Sequence, residues 1–208
     1  MITIIITIVV QLVFHPANAH AAGGKGPAWQ PLFDNDTLEG WTVTRFGAEG
    51  RVFTAGGRIT LGIGDGCTGI TWNKEFPRLD YEVKLQARRA QGHDFFCGLT
   101  FPVDSSCCTL IVGGWGGSVV GLSCIDGLDA SENETASMRR FVTGRWYEIH
   151  LRVTGEAILA WIDGAKVVDF DPRERILSVR PEVELSRPFG ICSWNTTAHL
   201  RSIVFRPL

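Results

Sequence analysis

The stretch Leu79-Asp80-Tyr81-Glu82-Val83-Lys84-Leu85-Gln86-Ala87-Arg88-Arg89 decides the fold. Apolar side chains at 79, 81, 83, 85 and 87 alternate with polar ones at 80, 82, 84, 86 and 88. Successive residues of an extended chain point to opposite faces. A period of two therefore describes an antiparallel strand buried on one face and solvated on the other. The same rhythm returns at 146–154, where Tyr147, Ile149, Leu151 and Val153 share a face. Tyr81, Val83, Leu85, Tyr147, Ile149 and Leu151 are thus expected to lie between two packed sheets.

Working outward, further strands are expected at 51–61, 68–72, 95–103, 107–112, 118–125, 157–162, 166–170, 189–194 and 199–206. Asp163-Gly164 marks a hairpin, because glycine accepts the positive φ that tight turns need. The 24 glycines and nine prolines suit many turns. Short strands with frequent turn signals describe an all-β sandwich or barrel. Only 129–140 is expected to hold a short helix.

The apolar run 1–14 is followed by Pro16 and the small-x-small sites Ala17-Asn18-Ala19 and Ala19-His20-Ala21. It is shorter than the roughly 20 residues of a membrane-spanning helix and resembles a signal peptide. The expectation is a leader over 1–22, a single domain over 23–208, no membrane span after removal of the leader, and a secreted or periplasmic location. The competing assignment for this run is a buried N-terminal strand. A net charge of −2 offers no basic field for nucleic acid. The six cysteines, at 67, 97, 107, 108, 124 and 192, form no C-x-x-C pair, so no structural zinc is expected. At most one disulfide is expected, since Cys97, Cys124 and Cys192 lie in apolar strands and behave there as small hydrophobes.

Motifs of the common hydrolases and nucleotide-binding proteins are absent from the sequence. Gly113-Gly114-Trp115-Gly116-Gly117 joins two strands. Its glycines either make a simple hairpin or clear space for the Trp115 indole to stack on a sugar ring. Of the seven tryptophans, Trp41, Trp146 and Trp161 are expected in the core, and Trp72 and Trp194 at strand ends lining a cleft. Asp129-Ala130-Ser131-Glu132-Asn133-Glu134 concentrates carboxylates: either a solvated loop, or Glu132 and Glu134 acting as an acid and base pair. Asn133-Glu134-Thr135, Asn35-Asp36-Thr37 and Asn195-Thr196-Thr197 match glycosylation sequons. His93-Asp94 is either a polar turn or a base held in one tautomer by its carboxylate neighbour.

The segment Leu32-Phe33-Asp34-Asn35-Asp36-Thr37-Leu38-Glu39-Gly40-Trp41 resembles the opening of the 3-keto-disaccharide hydrolase family, also called 3-keto-glycoside lyase/hydratase. Gly144-Arg145-Trp146-Tyr147-Glu148-Ile149, Asp163-Gly164 and the close Leu200-Arg201-Ser202-Ile203-Val204-Phe205-Arg206-Pro207-Leu208 are similar to later family segments. The resemblance implies a concanavalin A-like jelly-roll sandwich of two antiparallel sheets that handles carbohydrate. Two polar family strands correspond here to Phe96-Cys97-Gly98-Leu99 and Cys108-Thr109-Leu110-Ile111, with no carboxylate and only the glycine retained. The fold and the sugar association carry over, and no catalytic residue does.

The implied chemistry is elimination and hydration of 3-keto-glycosides. A ketone at C3 acidifies the C2 proton, a base removes it, the aglycone leaves C1, and water adds back. Such a site needs a base and an electrophile near the ketone. The candidate bases are His93, Asp94, Glu132 and Glu134, and Arg88 is the candidate oxyanion partner. Trp115, Trp72 and Trp194 are the candidate sugar contacts. A divalent cation is a candidate cofactor, with no metal ligands assigned. A non-catalytic, lectin-like sugar-binding module is the alternative, and a structural or adhesive surface domain the third reading.

Overall fold

The computed structural model describes residues 27–208, so the expected leader at 1–22 lies outside the described residues. The described residues form fifteen strands. In order they are β1 (Gln30–Pro31), β2 (Trp41–Val43), β3 (Val52–Ala55), β4 (Arg58–Leu61), β5 (Cys67–Trp72), β6 (Tyr81–Gly92), β7 (Cys97–Val103) and β8 (Ser106–Gly114). They continue with β9 (Val119–Ser123), β10 (Ser137–Met138), β11 (Tyr147–Val153), β12 (Ile158–Ile162), β13 (Ala165–Phe170), β14 (Gly190–Trp194) and β15 (Thr196–Pro207).

Two sheets result. The eight-stranded sheet runs β13-β12-β11-β6-β15-β4-β3, with β1 beside β15, and the seven-stranded sheet runs β10-β9-β8-β7-β14-β5-β2. Every strand pair is antiparallel. The fold is the expected two-sheet sandwich.

The period-two stretch forms the centre of the eight-stranded sheet. β6 pairs with β11 through Leu85↔Ile149 and Val83↔Leu151, and with β15 on its other side. Tyr81, Val83, Leu85, Tyr147, Ile149 and Leu151 are all buried. They meet Leu99, Phe101, Leu110, Leu122 and Ile191 of the other sheet in one core. Burying each such side chain contributes about 1.5–3 kcal/mol. A polar pin accompanies this packing: the Tyr81 hydroxyl donates to the Pro102 carbonyl at 2.6 Å, which satisfies the one polar atom of a fully buried ring.

Four local expectations are corrected. Segment 51–61 is two strands, β3 and β4, because Gly56 and Gly57 both take positive φ and turn the chain between them. Segment 129–140 holds no helix. Asn133 caps that loop by donating to the Leu122 and Asp129 carbonyls, and the chain then enters β10. The helical turn is instead a 3-10 helix at Pro181–Ser186. Trp41 is core, but Trp146 and Trp161 are only half-buried. Trp161 pairs with His150 and Trp146 precedes Tyr147, so the inward Tyr147 and Ile149 force both indoles onto the outer face of the sheet.

Candidate sugar-binding cleft

The outer face of the seven-stranded sheet is partly roofed by loops. Thr109 and Ile111 of β8 and Ser123 of β9 point outward, because Cys108, Leu110 and Leu122 point into the core. Above them stand Asp94 and Phe95 ahead of β7, Trp115 from the β8–β9 turn, and Trp194 at the end of β14. Arg180, Glu182 and Val183, from the start of the 3-10 turn, complete a cleft of about 240 Å³. Ile111, Val183 and Phe95 also belong to a small apolar cluster with Cys67 and Cys192, which fixes the roof to the sheet.

The turn that carries Trp115 is held from below. Arg89 continues the inward parity of Tyr81 to Ala87 and is buried, 6% exposed, at the end of the sandwich. Its guanidinium donates to the Asp94 carbonyl at 3.2 Å, the Gly113 carbonyl at 3.3 Å and the Gly117 carbonyl at 3.0 Å. Burial lowers the pKa of Arg89, a cost the nearby Asp94 charge offsets in part. Asp94 adds a second tie. Its Oδ1 accepts the Phe95 N–H at 2.7 Å and its Oδ2 the Gly116 N–H at 3.1 Å. Trp115 itself adopts φ 47 and remains 41% exposed, so its ring is presented to solvent rather than packed into the core.

The opposite wall is an ion-pair network. Arg180 donates from Nε to Glu182 at 3.2 Å, from Nη2 to Glu182 at 3.0 Å, and from Nη1 to Asp129 at 2.7 Å. The hydrogen bond from Arg180 holds the Glu182 carboxyl below its ordinary range. The same bond raises the pKa of Arg180.

The structure gathers Asp94, Trp115 and Trp194 around one cleft. His93 is exposed beside Asp94 and is not a lining residue. Of the acidic loop, only Asp129 reaches the cleft wall, through Arg180. Glu132 is exposed, and Glu134 pairs with Arg175 at 2.5 Å, away from the cleft. Asn133 is buried, which closes its sequon to modification in the folded chain. Trp72 packs edge-on against Trp41 and donates to the Glu75 carbonyl. Arg88 faces outward from the eight-stranded sheet, the opposite side of the molecule from the cleft, because it alternates with the inward Ala87.

Sequence reasoning missed Arg89, Arg180 and Glu182. Arg89 had a signal, being a charged residue on the inward parity of β6. Arg180 and Glu182 had none, since their segment reaches the cleft only through the path of the loop. All six cysteines are unbridged and buried. Among the described residues no group of three or more His, Cys, Asp or Glu is placed to hold a metal ion, and no helix is long and apolar enough to cross a membrane. The donor set of the cleft does not fit a divalent cation, and no step is derived through one.

A family model for the 3-keto-alpha-glucoside-1,2-lyase-like domain matches residues 28–206. The chain belongs to this family. It is therefore a carbohydrate-active domain, and the match spans all fifteen strands but the last residue of β15. Among solved structures, the Crh5 transglycosylase in complex with NAG is similar at 14% identity and TM-score 0.58, over 88% of this chain and 85% of that one. A Parabacteroides distasonis ATCC 8503 protein classed with glycosyl hydrolases is similar at 12% identity and TM-score 0.55, over 86% and 94%. At these identities the likeness is one of fold. No curated protein matches the chain in sequence.

Proposed function

We propose that this protein holds a 3-keto-glycoside in the cleft above the seven-stranded sheet and cleaves it by elimination and hydration. The observation that carries this reading is the convergence of two indoles, a carboxylate and a guanidinium on one cleft of a domain in this family. A cleft of about 240 Å³ suits a sugar unit more than a long polymer. Trp115 and Trp194 offer faces for the ring's axial C–H groups, contacts worth about 1 kcal/mol each. Asp94 takes the C2 proton, and the electron pair of the C2–H bond forms the C1–C2 double bond as the C1–O bond breaks. The aglycone oxygen leaves with that bond's electrons and takes the proton that Asp94 removed, which restores the carboxylate. Water then adds its hydroxyl to C1 and its proton to C2. Arg180 donates to the C3 oxygen, where charge develops as C2 loses its proton.

A second reading, sugar binding without cleavage, is favoured by one observation. Both Asp94 oxygens accept backbone N–H bonds, and both Glu182 oxygens are taken by Arg180, so each cleft carboxylate already serves a structural partner. Incubation with aryl 3-keto-glucosides, following aglycone release, separates the two. Release that falls about 10²–10⁴-fold in Asp94→Asn with binding retained supports the enzyme. Binding with no release in the parent protein leaves the binding module. Export belongs to the same proposal: N-terminal sequencing of protein recovered from periplasm or medium is expected to begin near residue 20 or 22.

A further inference from the structure

The face of the molecule opposite the cleft carries a cluster of cations with no carboxylate partner. On the eight-stranded sheet, β6, β15 and β4 lie side by side, with Arg88 opposite His199 and His199 opposite Thr60. Ala87, Leu200 and Ile59 point into the core, so Arg88, His199, Arg201 and Arg58 all point out. Trp146, one residue ahead of β11, sits beside Arg88, Arg201 and His199. The guanidinium carbon of Arg201 lies 4.1 Å from its ring centre and that of Arg88 lies 4.8 Å away. The His199 ring is 6.4 Å off.

What these arginines bond to is decisive. Arg88 donates to the His199 Nδ1 at 3.0 Å and to the Gly144 carbonyl at 3.3 Å. Arg201 donates to the Gln86 side-chain oxygen at 2.7 Å. The Arg58 Nε is buried and has no hydrogen-bond partner. Every acceptor is neutral, and none of the three arginines joins an ion pair among the described residues. Elsewhere on the same sheet the pattern is the reverse, since Arg152 and Arg206 both neutralise Glu82. Three like charges on neighbouring strands repel. The repulsion is felt at His199, whose pKa is lowered by burial first and then by the charges of Arg88 and Arg58. Contact with the Trp146 ring holds the Arg88 and Arg201 guanidinium groups without cancelling their charge, which leaves their N–H groups for an oxyanion.

We propose that Arg88 and Arg201 around Trp146, with Arg58 beside His199, form a second binding site, for the carboxylate or sulfate group of an acidic saccharide. The site is independent of the cleft and of the reaction proposed there. Its extent favours a single anionic group on a sugar over a nucleic acid. Two of the guanidinium groups share one indole, whereas a nucleic-acid backbone needs a row of cations, and the chain as a whole carries a net charge of −2.

Titration calorimetry on the full folded protein tests it with three probes of equal length: an oligogalacturonate, a sulfated oligosaccharide and a neutral glucan. Binding of one or both acidic probes, with at least tenfold weaker binding of the glucan at this site, is the expected result. Preference between the two acidic probes tells carboxylate from sulfate. Arg88→Gln with Arg201→Gln is expected to weaken acidic-probe binding at least tenfold. Lys166→Gln, which removes an exposed charge on β13, and Trp115→Ala, which alters the cleft, leave it unchanged. Melting curves of all variants confirm that each is folded; should the double variant not fold, Arg201→Gln alone is scored, with a loss of at least threefold expected. Equal binding of the glucan, equal loss in Lys166→Gln, equally tight binding of a short DNA duplex, or undiminished binding by the arginine variants each overturns the proposal.

Discussion

The Nη2 of Arg89 donates to the carbonyl of Gly117 at 3.0 Å, across 28 residues of sequence, and this bond sets where Trp115 stands. A strand end buried in the sandwich thereby controls a ring on the surface. Arg89→Met keeps the stem's packing and removes three charge-assisted hydrogen bonds. The expected cost is about 2–3 kcal/mol, since bonds to charged groups are worth about 1.5–3 kcal/mol each and do not add fully. Thermal melts should fall by roughly 5–10 °C. Faster hydrogen exchange at residues 113–117 should accompany the fall, while β6 and β11 stay protected.

Trp115 separates the cost of its backbone from the use of its ring. Its φ of 47 lies in the left-handed region, where a side chain costs roughly 1–2 kcal/mol. Trp115→Gly should therefore be at least as stable as Trp115→Ala, although it removes more atoms. Both should lose about fivefold to tenfold in affinity for the sugar proposed to bind the cleft, which corresponds to about 1 kcal/mol. Denaturant unfolding and calorimetry read the two effects separately.

Glu82 sets an acid limit on stability. Its carboxylate is buried under the outer side chains of the eight-stranded sheet, where Arg152 Nε donates to it at 2.7 Å and Arg206 Nε at 2.5 Å. Burial raises its pKa, but the hydrogen bonds from Arg152 and Arg206 outweigh that and hold it below the ordinary carboxylate value. A folded pKa below the unfolded one contributes stability that is complete above about pH 4.3 and is lost as pH falls through the folded value. Glu82→Gln should thus be less stable than the parent by about 1–3 kcal/mol at pH 7. The gap between the two should close as pH drops from about 5 toward 2. A gap that stays constant over that range would argue against Glu82 as the titrating group.

The thiols should be silent in the folded protein. Burial pushes Cys97 and Cys108 up to about 12. Cys67 is also raised, by its hydrogen bond to Cys192 first and by burial. A thiol reagent at pH 8 should label none of the six within minutes under native conditions and all six in denaturant. Fewer than six in denaturant would mean that a bridge forms in the protein as isolated.

The sandwich was legible in the sequence because it depends on local physics. A strand's two faces are written in alternate residues, so Tyr81 to Ala87 and Tyr147 to Val153 announced their burial before any partner was known. The same parity, followed one step further, places Arg89 inside and Arg88 outside. The family was legible from short framing segments near 32–41, 144–149 and 200–208, all but the last two residues of which the family model matches. Trp115 was legible as an exposed ring because a turn crowded with glycines has no neighbours to bury it.

Only the tertiary structure decided which residues share a site. Asp94, Trp115, Arg180 and Trp194 lie in four separate segments, and the crossovers between two sheets bring them together. Two carboxylates of the acidic loop divided in the same way: Asp129 turns to Arg180, and Glu134 to Arg175. Sequence spacing fixes the direction of a side chain within its own strand. Which distant loop arrives above that strand depends on the topology of the sheets, and a charge becomes a wall of a cleft or a bare cation according to what that topology sets beside it.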